Sequence, residues 1–361
     1  MPLTYATTTV EETIELGRKL AQKLNLGDSV LLFGPLGAGK THFTQGLAKG
    51  LGIEERIKSP TYAYVKQYAL SHKQPTNKGE APYRLPLTAY RLFYHYDLYR
   101  LNPGDDTSSI GLEDSLAQPN VIHAIEWADR LGENLPIPSV QVTLSTRLDH
   151  HEAVIRFEDP EIPSPHHIDK FYKHWQTPMH VRRHMAQVAK VAMQIAQAYA
   201  NRGTIINGEL LYAAAILHDV ARVCDFKTLD RAHFDEEITG GNWSRWVQLR
   251  QQFKGQRHWA IGRDFLREKG FGKTGELLYS HASRMIVEAP ELLQSLEAKI
   301  LYYADKRVKH DQIVDLAERF RDGRERYGNE NRELFEEVEK RTFELEKELF
   351  EGLKVWPEEI Q

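Results

Sequence analysis

The 361-residue sequence contains a single cysteine, Cys224. One thiol cannot form an internal disulfide, which excludes the disulfide-stabilised secreted class and fits a reducing compartment. No apolar run reaches the roughly 20 residues that a membrane-spanning helix needs, so we expect no membrane association. The first twelve residues, MPLTYATTTVEE, lack the basic and apolar regions of a secretory signal. These absences together predict a cytoplasmic protein.

The chain also lacks an excess of positive charge, since its formal net charge is −4. A protein that holds nucleic acid through its own surface is generally basic, because it must neutralise phosphates. We therefore expect any contact with RNA to be indirect and made through a partner protein. Internal repeats are absent as well. A chain of this length exceeds one ordinary hydrophobic core, which favours two domains.

One segment divides the chain into two parts of different character. EDPEIPSPHH, residues 158–167, has three prolines in ten residues and reads as an extended linker. Before it, strand-like runs alternate with helical segments, which indicates an α/β layer architecture. After it, apolar residues recur at helical spacing. We predict an α/β domain over 1–157, a linker over 158–166, an all-helical domain over 167–325, and a charged amphipathic helix within 326–361. Packing of this helix on its own domain is favoured over a coiled coil with a partner.

A glycine-rich stretch in the first half has the form of a phosphate-binding loop. GPLGAGKT, residues 34–41, fits G-x-x-x-x-G-K-[ST] and lies between an apolar strand and a helix. The glycines let backbone N–H groups surround a phosphate, and the helix N-terminus adds its dipole. Lys40 would supply a positive charge to the terminal phosphates, and Thr41 can place its hydroxyl on magnesium. The loop predicts nucleotide binding without identifying the enzyme.

Two carboxylates are predicted to lie near this loop. YHYDLYRL, residues 94–101, reads as a strand whose alternation places His95, Asp97 and Tyr99 on one face. Aspartate is depleted in strands, and Glu126 is a second carboxylate in an otherwise apolar strand. Parallel strands bring their carboxyl ends to one sheet edge, where ligands bind. A nearby cation offsets most of the cost of a buried carboxylate. We therefore predict a metal site there.

Five motifs occur in the order found in the bacterial TsaE family, also called YjeE, and the first half resembles that family over roughly residues 5–157. They are GPLGAGKTHF, SPTYAYV, HYDLYRL, GLEDSL and IEWADRL. The resemblance implies a P-loop ATPase required for making threonylcarbamoyladenosine in tRNA. It also implies partners of the TsaB and TsaD kind, whose complex the ATPase resets, so that tRNA is contacted only indirectly. A polar, proline-rich stretch at 69–90 reads as a long surface loop.

The same resemblance implies roles for individual residues. Magnesium would be bound by Thr41 and Glu126, with Asp97 near the γ-phosphate of ATP or the attacking water. Thr61, in the SPTY segment, would sense the nucleotide. Trp127 would lie beside the nucleotide or a partner, or serve as an ordinary core residue. The ATP phosphates would be held by Gly34, Gly37, Ala38, Gly39, Lys40 and Thr41.

The second half concentrates metal-ligating residue types on its helical segments. AAILHDVARV places His218 and Asp219 side by side on an apolar helix. Adjacent helical residues point about 100° apart, so both can reach one ion only near a helix crossing. Each of the other candidates lies on or starts its own predicted helix: His184, His258, His281 and Asp305. Such polar groups on apolar helices need a shared partner.

This order of residues resembles the HD phosphohydrolase superfamily over about residues 167–325. The resemblance implies a metal held by His184, His218, Asp219 and Asp305, with His258 and His281 added where two metals bind and Asp219 bridging them. Imidazole and carboxylate suit Fe, Mn, Zn, Ni or Co. Metal-activated water would then hydrolyse a nucleotide or another small phosphoester. Arg222 is a candidate contact for the substrate phosphate, and Lys306 and Lys309 are weaker ones.

Two alternatives remain open at the level of sequence. The helical half can be a catalytically silent module that senses a nucleotide. The first half can be a small-molecule kinase, because kinases share the phosphate loop. The HYDLYRL and IEW motifs speak against the kinase, for which we find no acceptor pocket. Whether ATP turnover needs TsaB and TsaD or only a small molecule separates these readings.

Overall fold

The computed structural model describes residues 1–59, 63–70, 91–102, 105, 107–231, 234, 236–327, 331–353 and 355–360. These residues form two compact units. Residues 2–158 and 200–205 make the N-terminal unit, and Met1, 159–199 and 206–361 make the C-terminal unit. Across the described part of the chain, no helix has the length and apolar character needed to cross a bilayer.

The N-terminal unit is built on a seven-stranded sheet in the order β1-β7-β6-β2-β5-β4-β3 among its described residues. The neighbours β6, β2, β5 and β4 run parallel, whereas β3, β7 and β1 pair antiparallel at the two sides. The strands are β1 (Leu3–Thr7), β2 (Ser29–Phe33), β3 (Val65–Ala69), β4 (Leu92–Asp97), β5 (Val121–Glu126), β6 (Val140–Thr146) and β7 (His151–Phe157). This mostly parallel sheet confirms the predicted α/β class.

The two long helices of this unit, α1 (Val10–Ala21) and α2 (Lys40–Gly50), cross at very short distance. A Cβ atom added at Gly17 would lie 2.2 Å from the carbonyl oxygen of Phe43, and one at Gly46 would lie 2.0 Å from that of Ile14. Only hydrogen fits at these positions. The two glycines therefore fix the place of α2, whose first residues follow the phosphate loop. A short helix, α3 (Leu112–Leu116), precedes β5.

The C-terminal unit is helical, apart from the short pair β8 (Val308–Lys309) and β9 (Gln312–Ile313). Its helices are α4 (Pro165–Trp175), α5 (Met179–Ala200), α6 (Gly208–Leu217), α7 (Gly240–Gln252), α8 (His258–Glu268), α9 (Gly272–Tyr279), α10 (Met285–Glu288), α11 (Leu296–Lys306), α12 (Leu316–Tyr327) and α13 (Arg332–Phe350). This confirms the predicted helical second half.

Helix α6, GELLYAAAIL, is apolar on most of its circumference and six of its ten residues are buried. A helix with this composition belongs in the interior of a bundle. Helix α11 is also deeply buried, and Tyr302 and Tyr303 on it are fully enclosed. Helix α13 packs on the same unit, because Tyr199 Oη donates to the Leu349 carbonyl and the Tyr303 ring contacts Phe350. Of these two buried helices, α11 carries the candidate ligand Asp305, and α6 ends directly before His218.

Four details of the predicted elements are wrong. The strand expected over 94–101 ends at Asp97, and Tyr99 is 49% exposed, because the chain turns back with Leu101 N donating to Leu98 O. The segment expected to be extended over 158–167 becomes helical at Pro165, since the Ser164 side chain caps α4. Residues 71–90 of the predicted loop at 69–90 lie outside the described residues.

The other two corrections concern the metal candidates. His218 and Asp219 are not inside a helix: α6 ends at Leu217 and the next turns are closed by i to i−3 bonds, such as Val220 N to Leu217 O. His281 likewise follows α9, which ends at Tyr279. Tighter turns change the angle between neighbouring side chains. Ligand atoms of His218 and Asp219 nevertheless lie within 4.8 Å of one another, in one group with His281.

Candidate functional sites

The phosphate loop joins β2 to α2 and holds three glycines at positive φ. These are Gly34 (133°), Gly37 (80°) and Gly39 (96°). A Cβ at Gly34 would lie 2.2 Å from the Leu144 carbonyl oxygen, so the loop lies tightly against β6. A Cβ at Gly37 would meet nothing within 4 Å. The loop is thus packed on the sheet side and open at its tip, as a cradle for an anion requires.

Lys40 lies inside this loop and is only 4% exposed. Its ammonium donates to the carbonyl oxygens of Gly34 at 2.7 Å and Pro35 at 2.8 Å. The Nζ atom also lies 3.5 Å from the ring centroid of Trp127. Burial lowers the pKa of Lys40. The loop's own carbonyls and an aromatic face therefore stabilise a charge whose ordinary partner in such loops is a phosphate.

Thr41, Glu126 and His95 form a chain of hydrogen bonds at the carboxyl edge of the sheet. Thr41 Oγ1 donates to Glu126 Oε2 at 2.8 Å, and His95 Nε2 lies 2.8 Å from Glu126 Oε1. Glu126 is 1% exposed and His95 is fully buried. Both oxygens of one buried carboxylate are thus oriented by neighbours. His95 was given no role from the sequence, although the strand alternation put it on the face of Asp97.

Asp97 is the register partner of Glu126, because β4 and β5 end side by side. The Ser59 hydroxyl donates to Asp97 Oδ2, and the backbone N–H of Tyr99 donates to Oδ1 at 3.2 Å. Ser59 is the first residue of the SPTY segment, whose threonine, Thr61, lies outside the described residues. Trp127 adopts φ 59° directly after Glu126, and its ring lies 5.0 Å from that of Tyr99.

The donors at this edge fit a magnesium ion. Thr41 and Glu126 present oxygens 2.8 Å apart, and oxygen is the ligand type that magnesium prefers. Ala38 is buried in the loop. The structure therefore brings together the sequence-predicted residues of the loop, Thr41, Glu126 and Asp97, all at the carboxyl ends of β2, β4 and β5.

In the C-terminal unit, histidine Nε2 atoms and carboxylate oxygens converge from separate elements. His184 and His218 approach Asp305 Oδ1, with Nε2 atoms at 3.1 and 3.4 Å. His258 and His281 approach Asp219 Oδ1, with Nε2 atoms at 2.7 and 3.7 Å. His218 belongs to two groups of ligand atoms lying within 4.8 Å of one another, one with His184 and Asp305 and one with Asp219 and His281.

The opposite nitrogen of each ring is held by an acceptor. Backbone carbonyl oxygens accept from Nδ1 of three of them: His310 O for His184 at 2.7 Å, Ala215 O for His218 at 2.8 Å and Leu278 O for His281 at 2.6 Å. Nδ1 of His258 lies 2.9 Å from Asp225 Oδ2 and 2.8 Å from Arg222 Nη1, so an acceptor and a donor both approach it. A neutral ring that donates from Nδ1 carries its lone pair on Nε2. In the three rings held by backbone carbonyls, that lone pair faces a carboxylate oxygen.

Where both atoms present lone pairs, a cation must lie between them, and this cation is either a proton on Nε2 or a metal ion. Burial raises the pKa of Asp219, but His258 and His218 in their protonated forms hold it well below its usual range, so the carboxylate is ionised. Burial lowers the pKa of His218, but Asp219 and Asp305 outweigh this effect and raise it. Burial lowers the pKa of His281 to about 4, which keeps this ring neutral. Neutral imidazole nitrogens and carboxylate oxygens are the donors that a divalent transition metal takes. The residues present fit such an ion.

Asp225 is a second functional candidate that sequence reasoning missed. It orients His258 and also accepts from Arg222 Nη1 at 3.1 Å. Nothing in the sequence separates it from the other acidic residues, because its role depends on a turn of the short 3₁₀ helix at 222–225. Of the predicted phosphate contacts, Lys309 is paired with Glu318 at 3.2 Å.

A cavity of about 390 Å³ opens beside the metal-ligand cluster. Its lining includes candidate ligands from the cluster, namely His184, Asp219, His258, His281 and Asp305, together with Arg222 and Lys306. This volume lies within the range of small-molecule sites. Lys306 donates to Asp305 at 2.5 Å and to the His281 carbonyl at 3.0 Å. The cluster is therefore accessible to a small ligand.

Comparison with known proteins assigns the two regions to two families. Residues 7–154 match the family model described as "Threonylcarbamoyl adenosine biosynthesis protein TsaE", and residues 181–308 match the HD domain model. Helices α12 and α13 lie outside both matches.

Several curated proteins are similar to the first region, each described as "tRNA threonylcarbamoyladenosine biosynthesis protein TsaE". The one from Bacillus subtilis is 32% identical, covering 42% of this chain and 83% of that protein. The one from Treponema pallidum is 33% identical, covering 40% and 92%. The solved structure of Bacillus subtilis YdiB is 30% identical with a TM-score of 0.31, covering 43% of this chain and 84% of its own.

Proposed function

The chain belongs to the TsaE family through its N-terminal unit and carries an HD domain in its C-terminal unit, and from this we propose a protein with two catalytic centres. The first is an ATPase that serves threonylcarbamoyladenosine modification of tRNA together with TsaB-like and TsaD-like partners. The second is a metal-dependent phosphohydrolase. We place both in the cytoplasm.

For the ATPase, the contact between the Thr41 hydroxyl and the Glu126 carboxylate carries the proposal. These two groups would hold magnesium, which neutralises charge on the terminal phosphates when bound. Lys40 would exchange the carbonyls of Gly34 and Pro35 for phosphate oxygens. His95 keeps the Glu126 carboxylate in position, and Asp97 would accept a hydrogen bond from the attacking water. The water oxygen bonds to the γ-phosphorus, the bridging P–O bond to the β-phosphate breaks, and the proton of the water passes to the released phosphate, leaving ADP and phosphate.

A complementation experiment tests this first activity. The full chain should restore threonylcarbamoyladenosine in a bacterial strain that lacks its own TsaE, as measured by mass spectrometry of digested tRNA. The Lys40→Ala variant should fail at equal expression. ATP turnover that needs a small-molecule acceptor, and not TsaB and TsaD, would instead support the kinase alternative.

For the phosphohydrolase, the approach of four histidine Nε2 atoms to the carboxylates of Asp219 and Asp305 carries the proposal. These six side chains would hold one or two divalent ions of Fe, Mn, Zn, Ni or Co. A bound ion of this kind lowers the pKa of water and polarises a phosphoryl oxygen. Arg222 and Lys306, which line the cavity, would contact the substrate phosphate. Water adds to phosphorus, the ester P–O bond breaks, and the leaving oxygen takes the proton.

Metal analysis of the purified full chain tests this second activity. The wild type should contain a transition metal and hydrolyse p-nitrophenyl phosphate or bis-p-nitrophenyl phosphate. The Asp219→Ala variant should lose both the metal and the hydrolysis while its helical circular dichroism signal and its ATP turnover persist. A wild-type chain that binds a nucleotide in the cavity without hydrolysing any phosphoester would support the silent sensing alternative.

A further inference from the structure

The turn between β8 and β9 has a backbone conformation that its sequence does not favour. Lys309 pairs with Gln312, so His310 and Asp311 form a two-residue turn. His310 adopts φ 58°, a left-handed value that residues with a Cβ atom rarely take. Turns with such values are dominated by glycine, asparagine and aspartate. A histidine in this conformation persists only where its surroundings hold it there.

The group that this conformation presents to the metal-ligand cluster is the backbone carbonyl of His310. His310 O accepts from His184 Nδ1 at 2.7 Å, and the opposite nitrogen of that ring, Nε2, lies 3.1 Å from Asp305 Oδ1. The side chain of His310 is exposed. The contact with the candidate ligand is therefore made by the main chain, and its direction depends on the backbone angles of the turn.

The turn is fixed on both of its sides. At its tip, Asp311 Oδ2 lies 3.1 Å from Arg183 Nε on α5. At its base, Val314 N donates to Arg307 O at 2.8 Å, and Arg307 Nε donates to Val314 O at 2.6 Å. Arg307 is 4% exposed and lies two residues after Asp305 of α11. The β8–β9 hairpin thus connects the helix that carries one candidate ligand to the helix that carries another.

We propose that the turn at 310–311 positions His184 for metal binding and that His310 acts through its backbone carbonyl. A carbonyl oxygen can only accept a hydrogen bond, so it keeps the proton of the neutral ring on Nδ1 and the lone pair on Nε2. Without this acceptor, the ring is free to carry its proton on Nε2 and donate it to Asp305. Nε2 would then have no lone pair for a metal ion. This inference rests on the proposed metal-dependent phosphohydrolase.

The positioning residue lies beyond residues 181–308, where the HD match ends. A backbone carbonyl is available from every residue type, so no side-chain pattern identifies this role. The requirement falls on the backbone angle, which glycine adopts readily and asparagine tolerates, whereas a β-branched residue resists it. Substitutions at His310 are therefore expected to rank by their tolerance of positive φ and not by their likeness to histidine.

This ranking tests the proposal on the full chain after its metal has been removed. Co²⁺ is titrated in competition with a chromogenic chelator, and the affinity is compared among variants. His310→Gly and His310→Asn should bind Co²⁺ within about 2-fold of the wild type, because both keep the turn. His310→Val should bind it about 10- to 100-fold more weakly, which is the usual effect of losing a partner that orients a metal ligand. His310→Ala, a milder change, replaces the valine variant if that one does not fold.

Gln176→Val is the matched control. Gln176 also has a positive φ, 46°, but its carbonyl accepts from Trp246 Nε1 at 2.9 Å and not from a candidate metal ligand. This variant should lower the melting temperature and leave the Co²⁺ affinity unchanged. Equal losses in the glycine and valine variants of His310 would assign the role to the side chain and overturn the proposal. Wild-type affinity in His310→Val, or an equal loss in Gln176→Val, would also overturn it.

Hydrolysis of p-nitrophenyl phosphate by the metal-loaded wild type separates this proposal from the function on which it rests. A wild type that binds Co²⁺, shows the expected ranking of variants and hydrolyses no phosphoester removes the phosphohydrolase and leaves the positioning role. A wild type that hydrolyses the ester while His310→Val keeps full affinity removes the positioning role and leaves the phosphohydrolase. A wild type that binds no metal overturns both.

Discussion

The two candidate sites differ in what holds their charged groups before any ligand arrives. In the N-terminal unit, Lys40 donates to carbonyls of its own loop, and Glu126 accepts from Thr41 and His95. In the C-terminal unit, the acceptors hold the far sides of the histidine rings and leave the near nitrogens facing carboxylates. The charged groups Lys40 and Glu126 of the first site already have protein partners, whereas the second site needs a cation, a proton or a metal ion, between its nitrogens and carboxylates.

This difference indicates two modes of metal use. A site whose polar groups already bond to one another gains and loses its ion together with a nucleotide. A site whose lone pairs face carboxylates at short range holds its ion continuously, because removal leaves buried charge uncompensated. We expect the N-terminal unit to exchange magnesium with each turnover and the C-terminal unit to retain its metal through purification.

Removing the Lys40 ammonium from the phosphate loop is expected to have the largest effect on activity. Lys40→Ala should lower ATP turnover of the full chain by about 100-fold or more, because a single preorganised charge contact typically contributes this much to catalysis. Lys49→Ala is the matched control, since Lys49 lies on the same helix and is exposed. Hydrolysis of p-nitrophenyl phosphate should be unchanged in both variants. A Lys40→Ala rate within a factor of two of wild type would contradict the assignment.

Lowering the pH is expected to destabilise the folded N-terminal unit, because it favours protonation of His123, a buried histidine outside the candidate site. Burial lowers the pKa of His123 to about 4 from an ordinary value of 6.5. The folded state thus keeps this ring neutral while the unfolded chain takes a proton below pH 6.5, and stability is lost as the pH falls from 6.5 toward 4. Between these two pH values the free energy of unfolding is expected to fall by about 3 kcal/mol.

Urea unfolding of the full chain at several pH values, followed by a probe in the N-terminal unit, measures this loss. His123→Phe keeps a ring beside Tyr94 and should flatten the pH dependence between 6.5 and 4. His42→Phe, at an exposed position of α2, should not. The same slope in both variants would show that other groups cause it.

Replacing Asp225, whose carboxylate supports His258 in the metal-ligand cluster of the C-terminal unit, is expected to have a smaller effect. Asp225→Asn leaves every metal ligand in place but weakens the hold on His258 Nδ1, and should lower metal affinity 10- to 100-fold. Competition with a chromogenic chelator measures the affinity. Asp264→Asn, an exposed change on the same helix as His258, is the control and should have no effect. If the Asp225→Asn variant binds the metal as tightly as the wild type does, His258 does not bind the metal.

The smallest effect on activity is expected from replacing His95, which positions the Glu126 carboxylate in the N-terminal unit. His95→Ala should lower ATP turnover about 10-fold, because Glu126 keeps Thr41 but loses its second partner. His95→Gln, which can still donate to the carboxylate, should recover part of the rate. A merely structural role for His95 would lower the melting temperature in both variants equally and would give no such recovery.

The sequence alone predicted those elements whose conformation depends on neighbouring residues and repeats regularly. The phosphate loop, its flanking strand and helix, and the strand that ends in Glu126 follow from glycine spacing and apolar runs that the backbone of any such unit needs. The HD-type residues could be named because their types are rare on apolar helices. Their approach to one another in space could not be derived from spacing alone.

What could not be predicted depends on single turns. The strand-like run over 94–101 stops at Asp97, the predicted strand end, because the chain turns at Leu98, and His218 leaves its helix because i to i−3 bonds close the following turns. Propensity does not determine such points, since tertiary packing chooses between nearly equal local conformations. The same holds for His95 and Asp225, whose partners are far away in sequence or in an irregular turn. Supporting residues therefore emerge only from coordinates.

The crossing of α1 and α2 has a consequence for genetics. At Gly17 and Gly46, the neighbouring carbonyl oxygen leaves room for glycine alone. Any replacement would push α2 away from α1 and displace the loop that α2 follows. A mutational scan scored only by ATP turnover would therefore rank Gly17 and Gly46 beside Lys40 and Glu126, although neither glycine has a side chain with which to touch a nucleotide.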